Sequence, residues 1–275
     1  MNIGIVGLGL IGGTYAKALQ KYPYKIYGID INQESLDYAL SEGFIDVATT
    51  NPKDVLKDLD VVFLCLYPKE AISFVKQHIN HFKKDAVISD VVGIKRKLID
   101  SLEMYFDDDL QFVFSHPIAG REKIGVKYSN EAIFHNANFV ITPHKKNTDE
   151  ALNLIEILAR QMGFKNVSRL SDVEHDDIIA YTSQLTHAIA IALVNSDNEK
   201  YDTSLFIGDS YKDLTRIAMI NDALWSELFL NNKDFLLKRI EEFENHLDKL
   251  KDALKEKNQE EIQKLMRSAT SRRSM

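Results

Sequence analysis

The residues G-L-G-L-I-G at positions 7–12 come directly after the apolar run N-I-G-I-V and open an amphipathic helical pattern. Few backbones accommodate such a segment. Gly7 allows a turn too tight for a side chain, Gly9 lets a phosphate approach the main chain, and Gly12 lets strand and helix pack closely. The first N–H groups of the helix have no partner within it, so the stretch from Leu8 through Leu10 and Ile11 faces outward as a site for pyrophosphate. Asp30 ends the next strand-like run, K-I-Y-G-I-D, at about the distance where this motif sets a carboxylate on a ribose 2′-hydroxyl. A carboxylate there repels an extra phosphate, and the nearby Asn32 brings no cation to offset it, so the expected cofactor is NAD.

This motif needs a strand, turn, helix and strand around it, and the chain supplies them. From residue 1 to about 168, short runs rich in Val, Ile and Phe alternate with helical patterns: V-V-F-L-C-L, A-V-I-S-D, F-V-F-S and F-V-I-T follow the two runs above. Such spacing predicts crossover units and a mainly parallel sheet. Beyond 168 the strand signals stop. Ser171 and Glu174 have capping-box spacing before a long helix through A-I-A-I-A-L-V, apolar nearly all round and so suited to a bundle core or a subunit interface. Further helices are expected at roughly 211–230, 233–256 and 259–268; the many Lys and Glu after 233 read as a solvated face. The predicted plan is an α/β Rossmann-type domain over 1–168 with a mainly parallel sheet, followed by an all-α helical domain over 169–275.

Composition narrows the partners. A formal net charge of −7 argues against a nucleic-acid binder, which needs a clustered basic surface to neutralise phosphates. The locally basic end from Arg267 to Arg273 reads as a frayed terminus. Cys65, the single cysteine, lies in an apolar run and is expected to be a buried, inert thiol. The start M-N-I-G-I-V-G lacks a basic region and a small-residue cleavage site, and the apolar stretches read as shorter than a membrane span, so the expected location is the cytoplasm.

A dinucleotide fold names a cofactor and leaves the reaction to the site. Ser115-His116-Pro117 follows the strand-like run 111–114, and ligands of such sheets bind at the carboxyl ends of strands. An imidazole there can take a proton from an alcohol as hydride leaves the same carbon; the alternative is a loop histidine satisfied by a backbone carbonyl. In the helical half, Ser183 and His187 sit four apart on one helix face, and Arg216 lies within L-T-R-I-A-M-I. An arginine fork suits a carboxylate ligand, while each of the three taken singly also suits a core hydrogen bond or a surface ion pair.

S-H-P-I-A-G-R-E-K, T-S-Q-L-T-H-A-I-A-I-A-L-V and Y-K-D-L-T-R-I-A, in this order behind G-L-G-L-I-G, resemble the prephenate dehydrogenase family over nearly the whole chain. The resemblance implies oxidative decarboxylation of prephenate by NAD to 4-hydroxyphenylpyruvate, carbon dioxide and NADH, in a dimer with interlocked helical domains. It gives His116 the ring hydroxyl and its proton, Arg216 a substrate carboxylate, Ser183 and His187 the mouth of the same pocket, and Glu122 a place in the polar network of the site. Pro117 and Gly120 would hold the turn that carries His116. With no length after 275 for an appended sensing domain, any tyrosine feedback is expected at the active site itself.

The chain departs from the family pattern at three places. Gly93 stands where serine is frequent in the D-x-x-S segment, Ser183-Gln184-Leu185-Thr186-His187 replaces S-H-x-P-H, and Gly208-Asp209-Ser210 replaces a glycine-rich stretch. Arogenate dehydrogenase is the neighbouring alternative, and Asp209 is a carboxylate that could meet the amino group of arogenate. A β-hydroxyacid dehydrogenase would need a G-x-G-x-x-x-K run after 168, which is missing. A regulator that binds NAD without turnover would keep Gly7, Gly9, Gly12 and Asp30 and have no use for His116 together with Arg216.

Overall fold

The computed structural model describes residues 1–106, 110–120 and 123–274. In the first part, β1 (Asn2–Val6), α1 (Leu10–Leu19), β2 (Lys25–Ile29), α2 (Gln33–Ser41), β3 (Val47–Thr49), β4 (Val61–Leu64), α3 (Pro68–His78), β5 (Ala86–Asp90), α4 (Arg96–Leu102), β6 (Leu110–Ile118), β7 (Asn138–Thr142), α5 (Asp149–Gln161) and β8 (Asn166–Arg169) follow one another. The strands form one sheet in the order β3-β2-β1-β4-β5-β6-β7-β8. All neighbours run parallel except β6 and β7. Helices cover both faces: one core joins Ile5, Phe63, Val113 and Ile141 to α1, α2 and α5, and a second joins Val62, Leu64, Ile88 and Phe112 to α3 and α4. Burial on both faces explains why β4 and β5 are buried at every position, with no polar alternation.

The edge strands β3 and β8 were not foreseen. Both are short and partly exposed, β3 with two apolar residues and β8 with one, so neither carries an apolar run. β6 also runs further than expected. Its residues 110–113 pair with β5, while 114–118 pair only with β7, so Ser115, His116 and Pro117 lie within the strand and not after it. The Ser115 N–H points to the side of β5, where it meets Asp90 Oδ1 at 3.1 Å. Two residues on, the Pro117 nitrogen faces the same side, where pairing with β5 has ended and a missing N–H costs no ladder bond.

The helical part comprises α6 (Asp172–Ile179), a π-turn (Ala180–Gln184), α7 (Leu185–Asn195), α8 (Asp209–Thr215), α9 (Asp222–Asn231), α10 (Lys233–Lys255) and α11 (Gln259–Arg273). The capping box forms: the Ser171 hydroxyl accepts from the Glu174 N–H and the Glu174 carboxylate accepts from the Ser171 N–H. The single helix expected over 211–230 is instead two. A 3₁₀ turn at Arg216–Ala218 ends the first, and the Asn221 side chain caps the second by accepting from Leu224 N at 3.0 Å. A second correction concerns α6 through α7, which as one span, Asp172–Asn195, is long and apolar enough by length and composition to cross a membrane. Much of its apolar surface is exposed, including Val173, Ile178, Tyr181 and Val194.

The two parts share a core. Leu228 of α9 is buried in the cluster built on β4, β5 and β6, with Leu224 and Trp225 packed against it. Burying a leucine in this way is worth about 1.5–3 kcal/mol. Glu227 adds a polar tie, its Oε1 accepting from the Lys69 N–H at 3.0 Å at the start of α3.

Candidate active site

The turn after β1 has the geometry that the glycines imply. Gly7 adopts φ +90°, and its N–H donates to Ile29 O at 2.8 Å, tying the turn to the end of β2. A methyl on Gly12 would lie 1.9 Å from the Gly7 carbonyl oxygen, so helix and turn touch backbone to backbone. Gly9 is the opposite case, with nothing within 4 Å of where its side chain would be. α1 begins there with no side-chain cap and no acidic residue in its first turn, leaving its N–H groups to an anion. The Asp30 carboxylate is aimed at this turn: Oδ2 accepts from Leu8 N at 2.6 Å and Oδ1 from Asn32 N at 2.8 Å. Open space at Gly9, a bare helix start and a fixed carboxylate are what a dinucleotide needs. Cys65, beside Gly12, is half-buried where full burial was expected, and burial, helped by Asp90, pushes its thiol up out of the reactive range.

Further along the carboxyl ends of the strands stands His116, half-buried on β6. Its Nε2 faces Gly93, where a methyl would lie 3.6 Å from that nitrogen and 3.6 Å from Leu228 Cδ2. The serine that the D-x-x-S segment lacks is therefore missing next to this nitrogen, which leaves His116 Nε2 with a small neighbour. On its other side, His116 Nδ1 lies 2.9 Å from Nε2 of the fully buried His175, and His175 Nδ1 lies 2.8 Å from Asp176 Oδ1. Burial, then His175 and Lys95, holds the His116 pKa well below the ordinary histidine value, so it is neutral at neutral pH.

Below the histidine lies a buried ion pair. Lys95, fully buried, donates from Nζ to Asp90 Oδ2 and to Val92 O at 2.7 Å, while Asp90 also fixes Ser115, the neighbour of His116. Burial lowers the Lys95 pKa, opposed by Asp90. His175, Asp176, Lys95 and Asp90 all escaped the sequence reading. The first two were hidden in S-D-V-E-H-D-D, which reads as a charged helix start, and the fully buried lysine ran against the usual exposure of that residue.

The helical part completes the surroundings. His187 donates from Nδ1 to Ser183 O at 2.9 Å, a tie made across the π-turn, and its ring stacks on Trp225 at 3.6 Å between centroids. Trp225 and Leu228 are three apart on α9, so this helix joins the His187 side of the site to the His116 side. Arg216 is not inside an apolar helix as expected. It starts the 3₁₀ turn that packs against α7, and its side chain is exposed. Gln184 is buried, its Nε2 donating to Leu228 O at 3.1 Å and its Oε1 accepting from Asn232 Nδ2 at 2.8 Å. Glu122 and its neighbour Arg121 lie outside the described residues. Asp209 lies in the first turn of α8, exposed.

Comparison with known proteins places both parts of the chain in one family. The family model "Prephenate dehydrogenase, nucleotide-binding domain" matches residues 15–168, and "Prephenate dehydrogenase, dimerization domain" matches 171–268. A prephenate dehydrogenase of Bacillus subtilis (strain 168) is 31% identical over 276 residues, 98% of this chain and 74% of that protein. A cyclohexadienyl dehydrogenase of Zymomonas mobilis is 29% identical, over 92% of this chain and 88% of that one. Among solved structures, a prephenate dehydrogenase of Aquifex aeolicus, in complex with hydroxyphenyl propionate and NAD+, superposes with a TM-score of 0.91. It is 33% identical, and the match covers 100% of this chain and 97% of that one.

Proposed function

Since the chain belongs to the prephenate dehydrogenase family, an oxidoreductase family whose nucleotide-binding and dimerization domains it carries, we propose that it oxidises and decarboxylates prephenate to 4-hydroxyphenylpyruvate. The observation that carries this reading is His116, neutral, with its Nε2 open beside Gly93 at the same strand ends as the glycine turn. Gly9 and the start of α1 would take the pyrophosphate of NAD, and Asp30 the adenosine ribose. When bound, NAD supplies the hydride acceptor.

The rest falls to the chain. His116 accepts the ring-hydroxyl proton as the carbonyl forms, a contribution of about 10²–10⁴-fold for a well-placed base. Loss of the ring carboxylate as carbon dioxide makes the ring aromatic, so alignment matters more than driving force. Arg216, with its fork of donors, takes a substrate carboxylate. Ser183 and His187 line the mouth of that pocket, with the His187 ring fixed by its bond to Ser183 O and by Trp225, and Glu122 joins the polar network. The exposed apolar side chains of the helical part, among them Ile178, Tyr181, Leu205, Phe206 and Met219, form the surface on which a second copy packs.

The test is NADH formation by the purified protein with NAD and prephenate, and separately with arogenate, whose amino group Asp209 would favour. Turnover with prephenate is expected. His116→Ala should lower kcat about 10²–10⁴-fold while NAD still binds. Silence with both substrates despite NAD binding would overturn the reading.

A further inference from the structure

An imidazole has two nitrogens, and only one placement of its proton lets His116 accept at Nε2. The contacts behind the ring decide which. A carboxylate can only accept, so Asp176 Oδ1, 2.8 Å from His175 Nδ1, assigns a hydrogen to that nitrogen. Burial holds the His175 pKa down, against the pull of Asp176, so the ring is neutral and its Nε2 carries a lone pair. That lone pair lies 2.9 Å from His116 Nδ1, which must therefore donate. His116 Nε2 is left bare and faces Gly93. The carboxylate that begins this chain is itself fixed, accepting from Lys95 N at 2.7 Å and Arg96 N at 2.9 Å.

We propose that His175 and Asp176 are positioning residues, holding His116 in its Nδ1–H form and sharing the positive charge when Nε2 takes up a proton. The inference rests on His116 being the base. Among the described residues, the groups facing it are His175 and Asp176 from α6, Lys95 from the segment before α4, and Asp90 through Ser115, while α9 brings the apolar Leu228 beside Gly93. Two carboxylates, one ammonium and two neutral imidazoles leave this buried group with one negative charge in excess. Proton uptake brings it to zero. In that step the substrate O–H bond breaks as an N–H bond forms at His116 Nε2. The proton on His116 Nδ1 then moves toward His175 Nε2, and that on His175 Nδ1 stays against Asp176. No proton leaves the group and no electrons are exchanged within it. The device spans both parts of the chain, since the base stands on β6 and its support on α6.

Nitrogen-15 NMR of the histidine rings in the whole protein reads the arrangement without any turnover. His116 should carry hydrogen on Nδ1 and none on Nε2; a bare Nδ1 would overturn the proposal outright. In His175→Leu the ring loses its acceptor and is expected to move its hydrogen to Nε2, with kcat down about 10²–10⁴-fold and KM for prephenate within about twofold, because His175 touches no substrate. His175→Gln, whose amide oxygen can stand in for Nε2, should keep the tautomer and lose only about tenfold, since it can accept a hydrogen bond but not a proton. Asp176→Asn should lose about tenfold in kcat and move the acidic limb of the kcat/KM profile to lower pH, because the imidazolium loses its counter-charge. A Leu variant with the wild-type tautomer and kcat within about twofold would sink the proposal. Should that variant fail to fold, a superimposable pH profile for Asp176→Asn would do the same. If the wild-type protein turns over neither prephenate nor arogenate, the functional reading fails while the NMR result still decides the tautomer.

Discussion

A methyl group added at Gly12 and one added at Gly9 should have opposite consequences. At Gly12 it would lie 1.9 Å from a backbone oxygen, which cannot move aside without opening the turn, so Gly12→Ala is expected to cost about 1–3 kcal/mol in unfolding free energy. At Gly9 the backbone is extended, φ −86° and ψ −155°, a conformation alanine adopts freely, and nothing of the protein lies within 4 Å. Gly9→Ala should therefore melt within about 0.5 kcal/mol of wild type. It should still bind NAD at least about tenfold more weakly, because the methyl occupies the approach of the pyrophosphate. Thermal melts beside NAD titrations check both, and a Gly9→Ala that binds NAD normally would remove the cofactor from this turn. The geometry of these glycines was legible because it is local, set by a turn of six residues. His175 and Asp176 were not, since their partners at His116 and Lys95 lie 59 and 81 positions away in the chain.

Among the elements, α9 depends on contacts that no local pattern reports. Its Leu228 closes over Gly93 and its Trp225 carries His187, and its far end is held by the Gln184 amide, between the Leu228 carbonyl and Asn232 Nδ2, which also donates to Asp176 O at 2.9 Å. Gln184 thus does structural duty at a position where the family pattern suggests a histidine near substrate. Replacing it by leucine keeps the size but leaves a buried carbonyl and a buried amide short of partners, a cost of about 1–3 kcal/mol. Urea unfolding of Gln184→Leu should show that loss. Unchanged stability would mean that α9 is held by its apolar contacts alone. The π-turn at Ala180–Gln184 was illegible for a related reason: A-Y-T-S-Q contains no breaker, and the extra residue shows only once the helix must present both Gln184 to α9 and Ser183 to His187. The break between α8 and α9 was readable in principle, from Asn221 before Asp222, a cap signal obscured by the apolar residues around it.

Taken as a whole, the molecule buries neutral histidines, and this sets how it responds to acid. His116 and His175, and with them the partly buried His78 and His144, have pKa values lowered chiefly by burial, so the unfolded chain takes up their protons first, near pH 6.5, and the folded chain only further down. Between those limits the unfolded state binds more protons than the folded one, and the free energy of unfolding must fall as pH falls. Above about pH 6.5 neither state is protonated and these groups add no pH dependence. Below it, each of these histidines removes up to about 1.4 kcal/mol per pH unit until its folded form titrates. Glu174 and Glu103, held low chiefly by Ser171 and Lys145 respectively, act only at the lower pH where carboxylates titrate, and cannot mimic this slope. Urea midpoints should thus be level from pH 8 to 7 and decline from about pH 6.5 downward, with a shallower decline in His175→Gln, which removes one of these groups. A curve level to pH 5 would show that the site admits the imidazolium without cost. The same desolvation that keeps His116 ready to accept a proton would then have to be sought elsewhere than in its burial against α6 and the Lys95–Asp90 pair.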